Sequence, residues 1–220
     1  IEALENALKT NKNVKLIYVI PTFQNPSGIT TSLEKRKAIL GLAAKYNAVI
    51  LEDDPYGELR FSGNDVPTIK SLDTEGRVLY CSSFSKILSA GMRIGFVCGN
   101  EELIRKMVVV KQVNDVHTNQ LFQMIVSEYM NRFDIDAHIA GIRKLYRGKC
   151  LLMLSELERN FGGKADFTRP NGGLFIWLTV PGADGNEIAR RAIANKVAVV
   201  SGTTLNPVQG GASPSVRLNY

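Results

Sequence analysis

The sequence predicts an α/β fold in which a mostly parallel sheet is followed by a smaller α+β unit. Apolar, β-branched runs alternate with helical segments along the first part of the chain, which is typical of a parallel sheet covered by helices. Beyond about residue 160 the pattern changes to short apolar strands separated by a helix and glycine-containing turns. We therefore predict two domains, residues 1–140 and residues 141–220, connected by a long helix.

Each element is predicted from the spacing of its apolar residues. In the first part, the predicted strands are 14–20, 48–51, 78–82 and 94–98, and the predicted helices are 1–10, 32–46, 101–112, 119–130 and 136–160. In the second part, the predicted strands are 174–180, 197–200 and 215–218, and the predicted helix is 186–195. The first helix has no capping residue before it, and the last strand has no closing element after it. We therefore expect the chain to be part of a longer protein.

Composition excludes several classes of function. The chain has 220 residues, of which 45% are hydrophobic, and a formal net charge of +6. Its Lys and Arg residues are scattered over predicted helix faces, so we predict no nucleic-acid partner. There is no apolar run of about 20 residues and no signal peptide, so we predict no membrane segment. The three cysteines are far apart and the two histidines lack ligand spacing, which predicts reduced thiols, a cytoplasmic location and no metal site.

Polar side chains follow three of the predicted strands, at the point where each strand ends. Ligands bind at the carboxyl ends of the strands in sheets of this kind. These residues are Asn25 after the first strand, Asp53 and Tyr56 after the second, and Ser83, Ser85 and Lys86 after the third, with Arg93 seven residues beyond the lysine. We expect them to line one crevice.

A lysine at a strand end can be desolvated and act as a nucleophile towards an aldehyde. Lys86 can form an imine in this way. A carboxylate such as Asp53 can keep a ring nitrogen protonated, so that the ring withdraws electrons from a carbanion. Together the two residues indicate an aromatic aldehyde with a ring nitrogen as the ligand.

The remaining polar residues suit two further groups of such a ligand. Tyr56 and Asn25 can donate hydrogen bonds to a phenolic oxygen, and Ser83 and Arg93 can hold a phosphate by charge-assisted bonds. The cofactor with all four groups is pyridoxal 5′-phosphate. Taken singly, each residue has a commoner interpretation as a turn, a surface charge or a packing residue; the prediction depends on their occurring together and in this order.

The same segments resemble the class I and II, fold-type I aminotransferases that depend on pyridoxal phosphate. The motifs that carry the resemblance are Asn25-Pro26-Ser27-Gly28 (N-P-x-G), Asp53-Asp54-Pro55-Tyr56 (D-x-x-Y), Ser83-Phe84-Ser85-Lys86 with Gly91-Met92-Arg93-Ile94-Gly95 (S-x-S-K…R-x-G), and Arg217 near the end. They cover nearly the whole chain. Within the family, the sequence is most similar to the 2-aminoadipate and multi-substrate branch.

The resemblance implies a fold of the pyridoxal-phosphate-transferase type, with a partial large domain and a small C-terminal domain. It also implies a role for each motif residue. Lys86 is implied as the catalytic lysine that bonds the cofactor, and the other implied cofactor ligands are Asn25, Asp53, Tyr56, Ser83 and Arg93. Arg217 and Asn25 are implied to bind the substrate, with Arg217 gripping the α-carboxylate as a bidentate fork. Asn25-Pro26 is a candidate cis peptide.

The implied activity is the transfer of an amino group from an α-amino acid to a 2-oxo acid, by a homodimer of the whole protein. The family's N-terminal half is expected to precede residue 1, so this chain alone should bind the cofactor poorly. Two alternatives remain open. One is the aminotransferase-like effector domain of a transcription regulator, against which Phe23-Gln24-Asn25-Pro26 argues because such regulators usually carry a histidine or tyrosine there. The other is a lyase or decarboxylase that uses the same cofactor.

Overall fold

A computed structural model describes residues 1–207 and 211–220. Its helices are α1 (Glu2–Thr10), α2 (Leu33–Lys45), α3 (Ile69–Leu72), α4 (Glu101–Asn114), α5 (Gln120–Arg132), α6 (Ile135–Phe161) and α7 (Gly185–Ala194). Its strands are β1 (Leu16–Val19), β2 (Val49–Asp53), β3 (Val78–Ser83), β4 (Gly95–Cys98), β5 (Asp166–Phe167), β6 (Phe175–Thr179), β7 (Val200–Ser201) and β8 (Ser215–Asn219). No helix in this described part is long and apolar enough to cross a membrane.

The chain divides into two compact units. The first unit comprises residues 1–21, 31–58 and 64–139, and the second comprises residues 22–30, 59–63 and 140–220. Segments 22–30 and 59–63 lie far from the rest of the second unit in sequence, and they fall within the predicted first domain, residues 1–140. The division into a cofactor-binding domain and a small domain near residue 140 stays a prediction.

The first unit contains a four-stranded sheet in the order β1-β2-β3-β4. The first three strands are parallel, and β4 pairs antiparallel with β3. Helix α2 begins after Ser32, whose hydroxyl accepts from the Lys35 amide and so caps the start of the helix. The buried face of α2 packs on the strands in a core formed by Leu8, Ile17, Ile39, Leu42, Ala43, Ala48, Ile50, Ile69 and Val78. The predicted fold class, a mostly parallel α/β sheet, is confirmed.

Strand β4 is exposed along its whole length. The strand predicted at 94–98 is therefore present but not buried, because β4 is the edge strand of the described sheet; Cys98, at its end, is exposed. Helix α4 is likewise without a buried residue.

The second unit has its own sheet in the order β5-β6-β8-β7, with each pair antiparallel. Its core is formed by Cys150, Leu154, Leu157, Ile176, Leu178 and Val216, from α6 and the two central strands. The strand predicted at 197–200 is shorter than expected, since only Val200 and Ser201 pair with β8. Short elements such as α3 and β5 were not predicted.

Candidate active site

Two of the predicted site residues end parallel strands of the first unit. Asp53 is the last residue of β2 and Ser83 is the last residue of β3. Because β2 and β3 run parallel in register, with Asp53 opposite Cys81, their carboxyl ends lie at the same edge of the sheet. Lys86 follows in a 3₁₀ turn, Phe84–Lys86, that starts directly after β3. The strand ends therefore place a carboxylate, a hydroxyl and an amine at one edge.

The Asp53 carboxylate is held by two donors on neighbouring strands. The Tyr18 hydroxyl donates to its Oδ2 atom at 2.7 Å, and the Cys81 thiol donates to its Oδ1 atom at 3.5 Å. Burial, with the nearby Asp53 charge adding to it, raises the pKa of the Tyr18 phenol and raises the pKa of the Cys81 thiol to about 12. Both groups therefore stay protonated, and remain donors, at neutral pH. A carboxylate has about four acceptor positions, so Asp53 keeps capacity for a further donor such as a protonated ring nitrogen.

A hydroxyl and guanidinium cluster surrounds the start of the 3₁₀ turn. The hydroxyl oxygens of Ser83 and Ser85 are 2.8 Å apart, and the Ser83 hydroxyl also accepts from the Ser85 amide at 3.0 Å. Arg93 donates from Nη1 to the Ser85 hydroxyl at 3.3 Å and to the Ala90 carbonyl at 3.1 Å. Exposed guanidinium and hydroxyl donors at a turn suit the oxygens of a phosphate.

Two further predicted residues, Lys86 and Tyr56, also belong to the first unit. The half-buried Lys86 ammonium has no hydrogen-bond or ion-pair partner within residues 1–207 and 211–220. Tyr56 follows β2 and is buried, with 6% of its surface exposed. An amine without a counter-ion is available for bonding to an aldehyde.

The second unit brings together the two residues predicted to bind substrate. Arg217 lies on β8 and donates from Nη1 to the Asn25 side-chain oxygen at 2.8 Å. Its guanidinium carbon lies 4.6 Å from the centre of the Phe175 ring, a cation–π contact that orients the group. Among the described residues, the buried Nε atom of Arg217 has no hydrogen-bond partner. An unpaired buried donor is costly, and a ligand oxygen can satisfy it.

The Asn25 loop has a defined conformation within the second unit. The Asn25–Pro26 peptide is cis, as the sequence predicted, and Gly28 has a φ of +69°. A Cβ atom at Gly28 would lie 2.4 Å from the Phe175 carbonyl oxygen, so only glycine fits there. The loop is closed by a hydrogen bond from the Gly28 amide to the Gln24 carbonyl at 2.6 Å.

Sequence reasoning missed three residues that the structure places around these groups. Tyr18 and Cys81 were treated as ordinary strand residues, yet both hold Asp53. Phe175 was placed in the predicted strand 174–180 without a role, yet its ring faces Arg217. Tyr18 and Cys81 follow from the strand register once the sheet order is known, but the register itself has no local sequence signal.

The residues present fit pyridoxal phosphate by the chemistry of their donors and acceptors. The first unit offers a free amine, a hydroxyl and guanidinium cluster for a phosphate, and a carboxylate with acceptor capacity for a ring nitrogen. The second unit offers an orphaned arginine donor for a carboxylate.

The comparisons with known proteins point to the same class. The family "Aminotransferase class I and II" matches residues 1–220, and the chain belongs to this family. It is 43% identical over 220 residues to aromatic-amino-acid aminotransferase 1 of Thermococcus litoralis, covering 100% of this chain and 52% of the relative. It is 37% identical over 224 aligned positions to the 2-aminoadipate transaminase of Thermus thermophilus, covering 100% of this chain and 56% of the relative. The resemblance inferred from the motifs is thus confirmed.

A solved structure shares the fold closely. The kynurenine aminotransferase of Pyrococcus horikoshii, crystallised with PMP, superimposes with a TM-score of 0.93 at 43% identity, covering 100% of this chain and 55% of that one. Two relatives that are 34% identical are named as HTH-type transcriptional regulators. The chain spans about half the length of the curated relatives that it matches.

Proposed function

We propose that the protein containing this chain is a pyridoxal-phosphate-dependent aminotransferase that moves an amino group from an α-amino acid to a 2-oxo acid. One observation carries the proposal: Lys86, whose amine has no partner among the described residues, shares a 3₁₀ turn with Ser85, and the Ser85 hydroxyl is hydrogen-bonded to Ser83 and Arg93. A nucleophilic amine next to a phosphate-binding group is what an aldehyde phosphate cofactor requires. The family match and the names of the aminotransferase relatives support the same activity.

In this proposal, pyridoxal phosphate supplies an electron-withdrawing ring that stabilises negative charge at the substrate Cα atom. Lys86 holds the cofactor and is the base that removes the proton from Cα. Asp53 accepts a hydrogen bond from the ring nitrogen, while Ser83, Ser85 and Arg93 bind the phosphate. Tyr56 and Asn25 donate to the phenolic oxygen.

Arg217 is the proposed anchor for the substrate α-carboxylate. Its fork geometry matches a carboxylate, and the contact with Phe175 and the hydrogen bond to Asn25 restrict its rotation before the substrate arrives. Fixing the carboxylate orients the Cα–H bond, which lowers the entropic part of the barrier. We further propose that the whole protein acts as a cytoplasmic homodimer, as the family resemblance implies.

Replacing Lys86 by alanine in the full-length protein tests the proposal. We expect amino transfer to 2-oxoglutarate to fall by at least about 10³-fold, since general-base catalysis alone contributes about 10²–10⁴-fold. Lys86→Arg keeps the positive charge but should also be inactive. Lys45→Ala removes a surface lysine paired with Glu5 and should keep full activity. The assay is formation of the 2-oxo acid product from an amino donor.

The alternatives predict different results in the same assay. A lyase or decarboxylase would turn over its amino acid without any 2-oxo acid, whereas transfer requires both substrates. The regulators among the relatives make an effector domain the second candidate. A wild-type full-length protein that shows no transfer with a panel of amino donors, or a Lys86→Ala protein that retains transfer, would contradict the aminotransferase proposal.

A further inference from the structure

Tyr18 carries the shortest hydrogen bond to the Asp53 carboxylate, although it belongs to none of the motifs. Its hydroxyl donates to Asp53 Oδ2 at 2.7 Å, compared with 3.5 Å for the Cys81 thiol on the other oxygen. The bond joins residues 35 positions apart in the chain. It is therefore a product of the sheet register and not of local sequence.

The register explains why the two side chains meet. Tyr18 on β1 pairs with Leu51 on β2, and Asp53 lies two residues further along β2. Side chains two residues apart on a strand share a face, so Asp53 lies on the same face as Leu51 and diagonal to Tyr18. A tyrosine is long enough to bridge this diagonal.

Packing among the described residues does not explain why a tyrosine occupies this position. Tyr18 is 55% exposed, and it is absent from the buried core of the first unit. An apolar strand residue would fill the same place without a hydroxyl. Among the described residues, the phenol's hydrogen-bond partner is the carboxylate of Asp53.

We propose that Tyr18 is a positioning residue that aims the Asp53 carboxylate at the cofactor ring nitrogen and draws off part of its negative charge. The proposal rests on the proposed function, in which Asp53 is the partner of that nitrogen. A hydrogen bond from a phenol to a carboxylate is charge-assisted, so it both fixes the carboxylate and lowers the charge that the carboxylate presents to a third group. The Asp53 carboxylate would thus meet the ring nitrogen in one orientation and present a smaller negative charge to it.

The neighbouring carboxylates of Glu52 and Asp54 accept hydrogen bonds from donors other than Tyr18. Glu52 accepts from the Ile69 and Lys70 amides, and Asp54 accepts from the Tyr80 hydroxyl at 3.3 Å. Besides Tyr18, Cys81 also faces Asp53, and its thiol stays protonated because burial raises its pKa to about 12. The Tyr80–Asp54 bond offers a matched control, because it also joins a strand tyrosine, here on β3, to an aspartate that directly follows β2.

The test compares Tyr18→Phe, Tyr80→Phe and Asp53→Asn in the full-length protein loaded with pyridoxal 5′-phosphate. The readout is the pH midpoint of the change in visible absorbance of the bound cofactor, together with kcat and KM for the amino donor. Without the Tyr18 hydroxyl, more negative charge stays on Asp53 and stabilises the protonated form of the cofactor. We expect the midpoint of Tyr18→Phe to rise by about half a pH unit, since only part of the effect of a lost charge-assisted bond is transmitted through Asp53.

We expect kcat of Tyr18→Phe to fall by roughly tenfold with KM nearly unchanged, because the orientation of Asp53 matters most in the transition state. Tyr80→Phe should leave the midpoint where it is in the wild type. In the Asp53→Asn background, Tyr18→Phe should add no further shift, which identifies Asp53 as the group through which Tyr18 acts.

The inference and the proposed function fail in different ways. An altered midpoint in Asp53→Asn with an unaltered one in Tyr18→Phe would overturn the inference and leave the proposed function in place. Equal shifts in Tyr18→Phe and Tyr80→Phe would overturn it as well, because the effect would then not be specific to Asp53. A wild-type protein that binds no pyridoxal 5′-phosphate would overturn both. If Tyr18→Phe does not fold, Tyr18→Leu tests the same loss of the hydroxyl, because leucine has no side-chain donor.

Discussion

Arg36 is a fully buried arginine whose replacement by methionine should strongly destabilise the first unit. Its guanidinium donates to three backbone carbonyls, those of Thr31 at 3.0 Å, Pro21 at 3.0 Å and Pro67 at 3.1 Å. Pro21 and Thr31 are the residues at which the chain leaves the first unit and returns to it. Arg36 therefore holds in place the two residues that flank segment 22–30, which carries Asn25.

The size of the destabilisation follows from the groups that lose their partner in Arg36→Met. Pro21 keeps a hydrogen bond from the Thr31 amide at 2.7 Å, but the Thr31 and Pro67 carbonyls each lose an ionic donor. Glu52, which is completely buried, loses a cation 3.9 Å away. Removing one partner of a buried charge pair costs about 3–5 kcal/mol. We expect a loss in this range, since Glu52 retains its bonds from the Ile69 and Lys70 amides.

The loss of unfolding free energy in Arg36→Met should increase with pH. Burial raises the pKa of Glu52 above its usual 4.5, while the Ile69 and Lys70 amides and the Arg36 charge oppose the rise. An acid whose pKa is raised by folding contributes stability below about pH 4.5, and this contribution is lost as pH rises through the folded-state value. Removing Arg36 moves that folded-state value higher. The difference in stability between the wild type and Arg36→Met should therefore be larger at pH 7 than at pH 5.

Urea denaturation of the full-length protein, followed by far-UV circular dichroism at both pH values, measures this difference. The control is Arg36→Met combined with Glu52→Gln, which removes the buried charge along with its partner and should recover part of the stability at pH 7. A loss below about 1 kcal/mol at pH 7, within the range of an ordinary hydrogen bond, would refute the reasoning. So would an equal loss at pH 5 and pH 7.

Two further predictions concern Gly28 and Arg217 of the second unit, and Gly41 on α2 serves as the control for Gly28. Gly28→Ala should cost at least about 2 kcal/mol of unfolding free energy, because it combines a left-handed backbone with a Cβ atom 2.4 Å from the Phe175 carbonyl oxygen. Gly41 lies on α2, where an added Cβ atom would have no other atom within 4 Å, so Gly41→Ala should instead increase the unfolding free energy by about 0.5–1 kcal/mol. Chemical denaturation that shows similar effects for Gly28→Ala and Gly41→Ala would contradict this prediction. If the proposed function holds, Arg217→Lys should raise KM for the amino donor and lower kcat/KM by roughly tenfold or more, because an ammonium cannot form the fork. Steady-state kinetics with an unchanged KM would count against that role.

Much of the fold could be predicted because its signals are local. The apolar runs of β1, β2 and β3 and the Ser32 cap of α2 are read directly from the sequence, and the structure has these elements within a few residues of their predicted bounds. What could not be predicted depends on partners distant in the chain. The four-residue helix α3 has little intrinsic tendency to form; it is stabilised where the Glu52 carboxylate accepts from its first amides.

The candidate site likewise contains residues that the sequence predicts and contacts that it does not predict. Asn25, Asp53 and Lys86 stand at strand ends, where their chemistry is visible in the sequence. The contact between Arg217 and Asn25 joins positions 192 residues apart, and no local pattern predicts it. Ser85 was given less weight than Ser83, yet its hydroxyl is the one that accepts from Arg93.

The run Glu52-Asp53-Asp54 shows how structure selects one functional carboxylate out of three adjacent ones. Like charges this close repel, and burial raises the pKa of both Glu52 and Asp54. Each of those two is nevertheless committed inside the first unit, Glu52 to the start of α3 and Asp54 to the Tyr80 hydroxyl. Glu52 and Asp54 are buried, whereas Asp53 is partly exposed. Asp54 also has an oxygen without a hydrogen-bond partner among the described residues, but that oxygen is buried. The two protein donors of Asp53 leave acceptor positions free on a partly exposed carboxylate, so a ligand at this sheet edge can reach Asp53 without breaking a bond that the fold requires.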